Sequence, residues 1–78
     1  MQRKEHETQA QVDRLRAYLR AGNDINPLEA WRKLGIYRLS ARVFDLREAG
    51  EDIKGEFVEV RNQFGEPCRV KSYRMEAQ

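Results

Sequence analysis

Histidines and cysteines supply the ligands of zinc sites and many nucleophile and base pairs, and this 78-residue chain has one of each, His6 and Cys68. A single pair of that kind holds no zinc and closes no internal disulfide. There is no Ser/His/Asp set and no Gly-rich phosphate loop. The acids Asp45, Glu48, Glu51, Asp52, Glu56 and Glu59 are strung along a segment whose spacing fits no calcium loop. The expectation is therefore no enzymatic activity, no metal and no cofactor. What remains is cationic chemistry. The chain carries 15 Lys+Arg against 13 Asp+Glu, a net charge of +2, and the charge is unevenly placed. Residues 28–44 and 60–75 each carry +3, and they flank residues 45–59, which carry −4. If folding joins the two basic blocks, the result is a basic face with an acidic back, the footprint of a polyanion binder. The competing reading is that 36% charged residues simply solvate a small domain.

The elements that must position these cations follow from periodicity. Val12, Leu15 and Leu19 recur at helical spacing within a first helix from Thr8 to Ala21, stopped by Gly22. Residues 1–8 lack an apolar face and read as a flexible polar tail or the first turn of a helix, with one domain over 9–76. Asn26-Pro27 supplies a helix cap and the residue best suited to a first helical position. A short second helix, Pro27 to Leu34, then turns Leu28, Trp31 and Leu34 inward before Gly35 breaks it. A third helix from about Arg38 to Ala49 repeats Leu39, Val43 and Leu46 on its core face and ends at Gly50. Beyond Gly50 the period changes to two. Ile53 to Val60 and Arg69 to Met75, separated by the turn-rich segment Asn62 to Pro67, read as a β-hairpin. Tyr73 and Met75 join Trp31 in the expected core. No stretch approaches the ~18–20 apolar residues of a membrane span, and the N-terminal residues contain no apolar run, so a cytoplasmic location is expected.

Two helices about three residues apart, the spacer containing a glycine, have the spacing of a helix-turn-helix, and three helices followed by a hairpin have the α+β order of a winged helix. The segments Ile25-Asn26-Pro27-Leu28-Glu29-Ala30-Trp31, Leu34-Gly35-Ile36-Tyr37-Arg38-Leu39-Ser40-Ala41-Arg42-Val43 and Asp45-Leu46-Arg47-Glu48-Ala49-Gly50 resemble short winged helix-turn-helix domains of phages and prophages. Their shared pattern is roughly ITPLEAL..LG.YRLAARI.DLR..G..I. The resemblance is nearly gapless from Ile25 to Gly50, and Ile53 falls where the first strand of that pattern begins. Trp31 departs from it by replacing a smaller aliphatic residue, and Glu51-Asp52 adds negative charge near the wing.

On a helical wheel, Tyr37, Ala41, Asp45 and Glu48 face away from the core and Arg38 lies on the flank, so Tyr37, Arg38 and Ala41, the outward N-terminal part of the third helix, are the expected base-facing residues. An Arg38 guanidinium suits guanine O6 and N7, and the Ala41 methyl suits a thymine methyl. For Tyr37 the alternative is a packed turn aromatic with an exposed hydroxyl. Asn26, Arg32 and Lys33 are expected phosphate contacts. Arg42 divides between a phosphate contact and an ion pair with Glu29, whereas Arg47 reads as a structural salt-bridge partner. Arg61, Arg69 and Lys71 stand at or near the wing, either against DNA or as solvated strand charges that blunt edge pairing. Phe64 at the tip either folds back or marks a partner surface. Phe44 either caps the core against the hairpin or makes a protein contact.

The reading that follows is a small phage or prophage protein that binds double-stranded DNA in the cytoplasm of a bacterial host. It would act as a transcriptional regulator or an excisionase-like factor, with its third helix in the major groove and the hairpin as wing. Single modules of this size cover few base pairs, so a homodimer or tandem binding is expected. The alternative is a phage winged helix that binds a host protein complex and inhibits defence, in the manner of an anti-CRISPR protein.

Overall fold

Val12, Leu15 and Leu19 align on one side of a helix because their spacing matches 3.6 residues per turn. In the computed structural model, which describes residues 2–76, all three are buried. Their helix, α1, runs Gln2–Arg20. The segment 2–8, expected as a polar tail outside the domain, is therefore the continuation of α1. Its Gln, Arg, Lys and Glu residues are good helix formers and need no buried face to extend an existing helix.

The second helix, α2, covers residues 27–34 and departs from the sequence expectation in its second half. It opens with a complete capping box: Asn26 Oδ1 accepts from the Glu29 amide at 3.0 Å, and Glu29 Oε1 accepts from the Asn26 amide at 3.3 Å. Ala30–Leu34 then forms a π-helical turn that ends at Gly35 in the left-handed region, φ 66°. A π turn bonds i to i+5, which fits one more residue into the turn and rotates side chains relative to an α-helix. Ala30 takes the fully buried position, Leu34 packs against the core, and Trp31 is turned out to 47% exposure. Leu28 is also exposed. Two of the three residues expected inward on α2 thus face solvent, and their places are taken by Ala30 and, beyond the turn, by Ile36.

The third helix, α3, is Leu39–Glu48, with Leu39, Val43 and Leu46 buried as the periodicity predicts. After it Gly50 adopts φ 98°, and the Glu51 amide reaches back to the Leu46 carbonyl at 3.0 Å. This reversal sets the Glu51 carboxylate against α1, where one oxygen accepts from Arg16 Nε at 3.1 Å and Arg20 at 2.8 Å. The negative charge that looked misplaced beside a wing is a strap between α1 and the start of the hairpin.

The hairpin strands are β1, Ile53–Arg61, and β2, Pro67–Met75, antiparallel in the register Ile53↔Met75 through Arg61↔Pro67. Ile25, between α1 and α2, bridges the other edge of β2 at Tyr73 by two reciprocal bonds of 2.9 and 2.8 Å. Both residues are buried. Tyr73 also lies against Gly55, directly across the ladder, so closely that a Cβ there would come within 3.0 Å of the ring and 2.9 Å of Lys71 Cε. Met75, expected in the core, is only partly buried and packs against its margin.

Gly55→Val should therefore push Tyr73 off β1 and lower stability by about 1–3 kcal/mol, the range for overpacking. Glu59→Val, exposed on the same strand, should change it by less than about 0.5 kcal/mol. Thermal unfolding followed by circular dichroism checks the pair.

Candidate nucleic-acid interface

The turn between α2 and α3 is held from below and decorated from above. Arg14 of α1 donates to the Leu34 carbonyl at 2.9 Å, and Ile36 is fully buried, which anchors both sides of Gly35. Tyr37 follows at 76% exposure. Its ring lies over that of Trp31, with centroids 4.1 Å apart and planes tilted by 33°. Arg38 is the N-cap residue of α3, exposed, and forms no side-chain hydrogen bond or ion pair among the described residues. Ala41, one turn on, is half-buried. The three residues expected to face bases thus share one end of α3, with Trp31 as a fourth member.

Arg42 is paired within its own helix. Its Nε donates to Asp45 at 2.9 Å, not to Glu29, because the i,i+3 spacing puts the two side chains on adjacent turns. Glu29 is occupied by the capping box and by Lys33 Nζ at 3.9 Å. Lys33 also reaches the Tyr18 hydroxyl at 3.4 Å. Asn26 has its amide oxygen committed to the cap, with the Glu29 carboxylate in front of the same helix end, so this helix end is already filled by an anion. Arg32 is exposed. Arg47 is structural, as expected, but through a carbonyl: Nε and Nη2 both donate to Ile53 O, at 3.1 and 2.8 Å, while the guanidinium sits 5.8 Å from the Tyr73 ring centre.

In the wing, Asn62 organises the tip. Its Oδ1 accepts from the Phe64 and Glu66 amides at 2.9 and 3.0 Å, and its Nδ2 donates to Glu66 Oε1 at 3.1 Å. Arg61 closes the turn by donating to Gly65 O at 2.7 Å. Phe64 does not fold back; it is 76% exposed. Together with Leu28, Arg32 and Arg61 it lines an open groove of about 380 Å³ between α2 and the tip. Arg69 and Lys71 stand 5.0 and 5.5 Å from the ring centre of Phe57, itself exposed. Phe44 is 61% exposed and so does not cap the core against the hairpin.

The arrangement presents an exposed helix end bearing an arginine and two stacked aromatics, and a hairpin bearing a lysine and an arginine over a phenylalanine. A family model described as a winged helix-turn-helix domain matches residues 10–78. The chain belongs to this family. No curated protein and no solved structure matches it significantly. Membership of the winged helix-turn-helix family suggests DNA binding, since α3 occupies the recognition-helix position and the hairpin that of the wing. Among the described residues no helix is long and apolar enough to cross a membrane. Sequence reasoning missed Trp31 and Phe57 as surface residues of this winged helix. For Trp31 no local signal marks the π turn that exposes it. For Phe57 the strand period was legible, but not that the core ends at Gly55 and Tyr73.

Because the Phe64 and Glu66 amides both donate to the Asn62 side chain, Asn62→Ala should speed amide hydrogen exchange at these two and leave the amides of α1 and α3 protected. Loss of protection in α3 as well would mean that the tip supports the core.

Proposed function

We propose that this winged helix is a sequence-reading protein for double-stranded DNA. It uses Arg38, with Tyr37 and Ala41, at the major-groove edges of the bases, and Arg69, Lys71 and Arg61 of the wing, with Arg32 and Lys33, on phosphates. One observation carries the reading: Arg38 stands exposed at the leading end of α3 with its guanidinium uncommitted, while neighbouring cations such as Arg42 and Arg47 are engaged within the fold. A free planar fork at that place suits guanine O6 and N7. Asn26 is left out of the contact set because its amide oxygen and the Glu29 carboxylate fill that helix end, and Arg42 because its largely buried side chain is committed to Asp45; Lys33 and Arg61 make local contacts too but keep exposed side chains. The match to the phage and prophage pattern supports a transcriptional regulator or excisionase-like factor acting in a bacterial cytoplasm. The small footprint of one copy favours binding as a dimer or in tandem.

A second reading is favoured by a separate observation, the groove in which Leu28 and Phe64 are exposed beside Arg32 and Arg61. Exposed apolar side chains rimmed by cations also suit a protein partner, as a phage-encoded inhibitor of a host defence complex would require.

Fluorescence anisotropy with selected and random duplexes at about 50 and 200 mM salt separates the two. Arg38→Ala should cost about 1–3 kcal/mol on the preferred site and little on random duplex. Arg69→Ala should weaken both alike and reduce the salt slope by about one. Equal losses on all duplexes in both variants would remove Arg38 from base reading. No binding to any duplex at low salt would favour the protein partner.

A further inference from the structure

The two edges of the hairpin are not alike. Ile25 and Tyr73 exchange both of their backbone bonds, so the Tyr73 N–H and C=O point away from β1. These groups alternate along an antiparallel ladder, and Tyr73 lies across from Gly55. The amides and carbonyls of Gly55, Phe57, Glu59 and Arg61 therefore point away from β2. Other details agree: Pro67, which has no N–H, stands opposite Arg61, and the Ile53 carbonyl turns outward to meet Arg47. The β2 edge is closed at one end by Ile25 and blunted at the other by Pro67. On β1, among the described residues, nothing bonds the outward groups from Gly55 to Arg61. An open edge is a template for another strand, and this one has neither a proline nor a bulge to spoil it.

We propose that this edge pairs with the same edge of a second copy, antiparallel, about a two-fold axis at Val58. The register follows from the ends of the free stretch. Ile53 is held by Arg47 and Asn62 by the tip, so the stretch runs from Gly55 to Arg61, and its midpoint is Val58. Pairing all of it sets Gly55 opposite the partner's Arg61, Phe57 opposite the partner's Glu59, and Val58 opposite the partner's Val58, with about eight main-chain bonds. No like charges meet. Moving the axis to Glu59 would set that carboxylate against its own copy, and moving it to Phe57 would call on the Ile53 carbonyl that Arg47 already holds. On the outer face, half-buried Val58 and Val70 of both copies join in one apolar row. At each end of that face Lys54 comes opposite the partner's Asn62, beside the carboxylate of the partner's Glu66, so the charges are self-complementary. Main-chain bonds give affinity in such strand addition, and side-chain matching selects the partner. Arg69 and Lys71 lie on β2, away from the axis, and stay open to phosphates. The proposal gives a surface to the dimer that the small DNA footprint favours, and two recognition helices about a two-fold axis suit an inverted-repeat site.

Sedimentation equilibrium of the full chain without DNA, at up to about 1 mM, should give twice the 9.2 kDa of one copy. Val58→Lys puts like charges on the axis and leaves the backbone ladder with β2 in place. It should return the mass to one copy with the circular dichroism spectrum unchanged. A cross-link tests the register. In a Cys68→Ser background, Val58→Cys should give a disulfide-linked dimer in oxidising buffer, because a non-hydrogen-bonded antiparallel pair sets its Cα atoms about 4.5 Å apart. Glu56→Cys should not, since its two copies lie more than about 10 Å apart along the strands. A one-copy mass at every concentration overturns the proposal and leaves the edge to an extended segment of another protein. A dimer that survives Val58→Lys, or that links as readily through Glu56→Cys, places the contact elsewhere and overturns it as well. Neither result bears on DNA binding, which the anisotropy measurements read separately.

Discussion

Two backbone hydrogen bonds, exchanged between Ile25 and Tyr73, join the helical half of this molecule to its hairpin. Each contributes only about 0.5–1.5 kcal/mol, but both residues are buried, and leaving the groups unpaired would cost more. With Tyr73 held there, its ring is pressed on Gly55, and Arg47 of α3 lies over the ring and grips the Ile53 carbonyl. Helix α3 and strand β1 are thereby tied to the same tyrosine. The angle between recognition helix and wing depends on this joint, because Ile53 and Tyr73 are the hairpin residues buried in the core.

The charged residues divide into two populations that a net charge of +2 conceals. Arg16, Arg20, Arg42 and Arg47 each have partners within the fold: Glu51 for the first two, Asp45, and the Ile53 carbonyl. Ion pairs near the surface contribute little to stability, roughly 0–1 kcal/mol where exposed, so the effect of these partly buried contacts is chiefly on orientation. Arg32, Arg38 and Arg69 are exposed at the turn, the helix end and the wing. A polyanion would meet the second population and leave the first undisturbed.

Much of this was legible from residue order. Leucine and valine spacing gave α1 and α3 their core faces, the change to a period of two located the hairpin, and Asn26-Pro27 marked the start of α2. Other features were hidden for identifiable reasons. The π turn brings Ala30 and Ile36 into the core in place of Leu28 and Trp31, an outcome of tertiary burial that helical spacing alone does not encode. The pairing of Ile25 with Tyr73 joins residues far apart in the chain and leaves no local pattern. The pairing of Arg42 with Asp45 was visible in the i,i+3 spacing, and a nearer partner on the same helix outcompetes one on another. For the interface, Arg38 and Ala41 could be placed at the leading end of α3, but Tyr37 lies in the turn before the helix, and the aromatic stack beneath it left no local pattern.

From Lys54 to Ser72 no residue is buried, and the tip closes on its own hydrogen bonds through Asn62. Substitutions across this stretch, outside Gly55, are separated from the residues that keep the domain folded. A lineage carrying this fold is free to rewrite its wing one residue at a time, acquiring a new target while the core stays unchanged. Helix α3 lacks that freedom, since its outer and inner faces share one short element. Diversity among relatives should therefore accumulate first at the hairpin and only later at the helix.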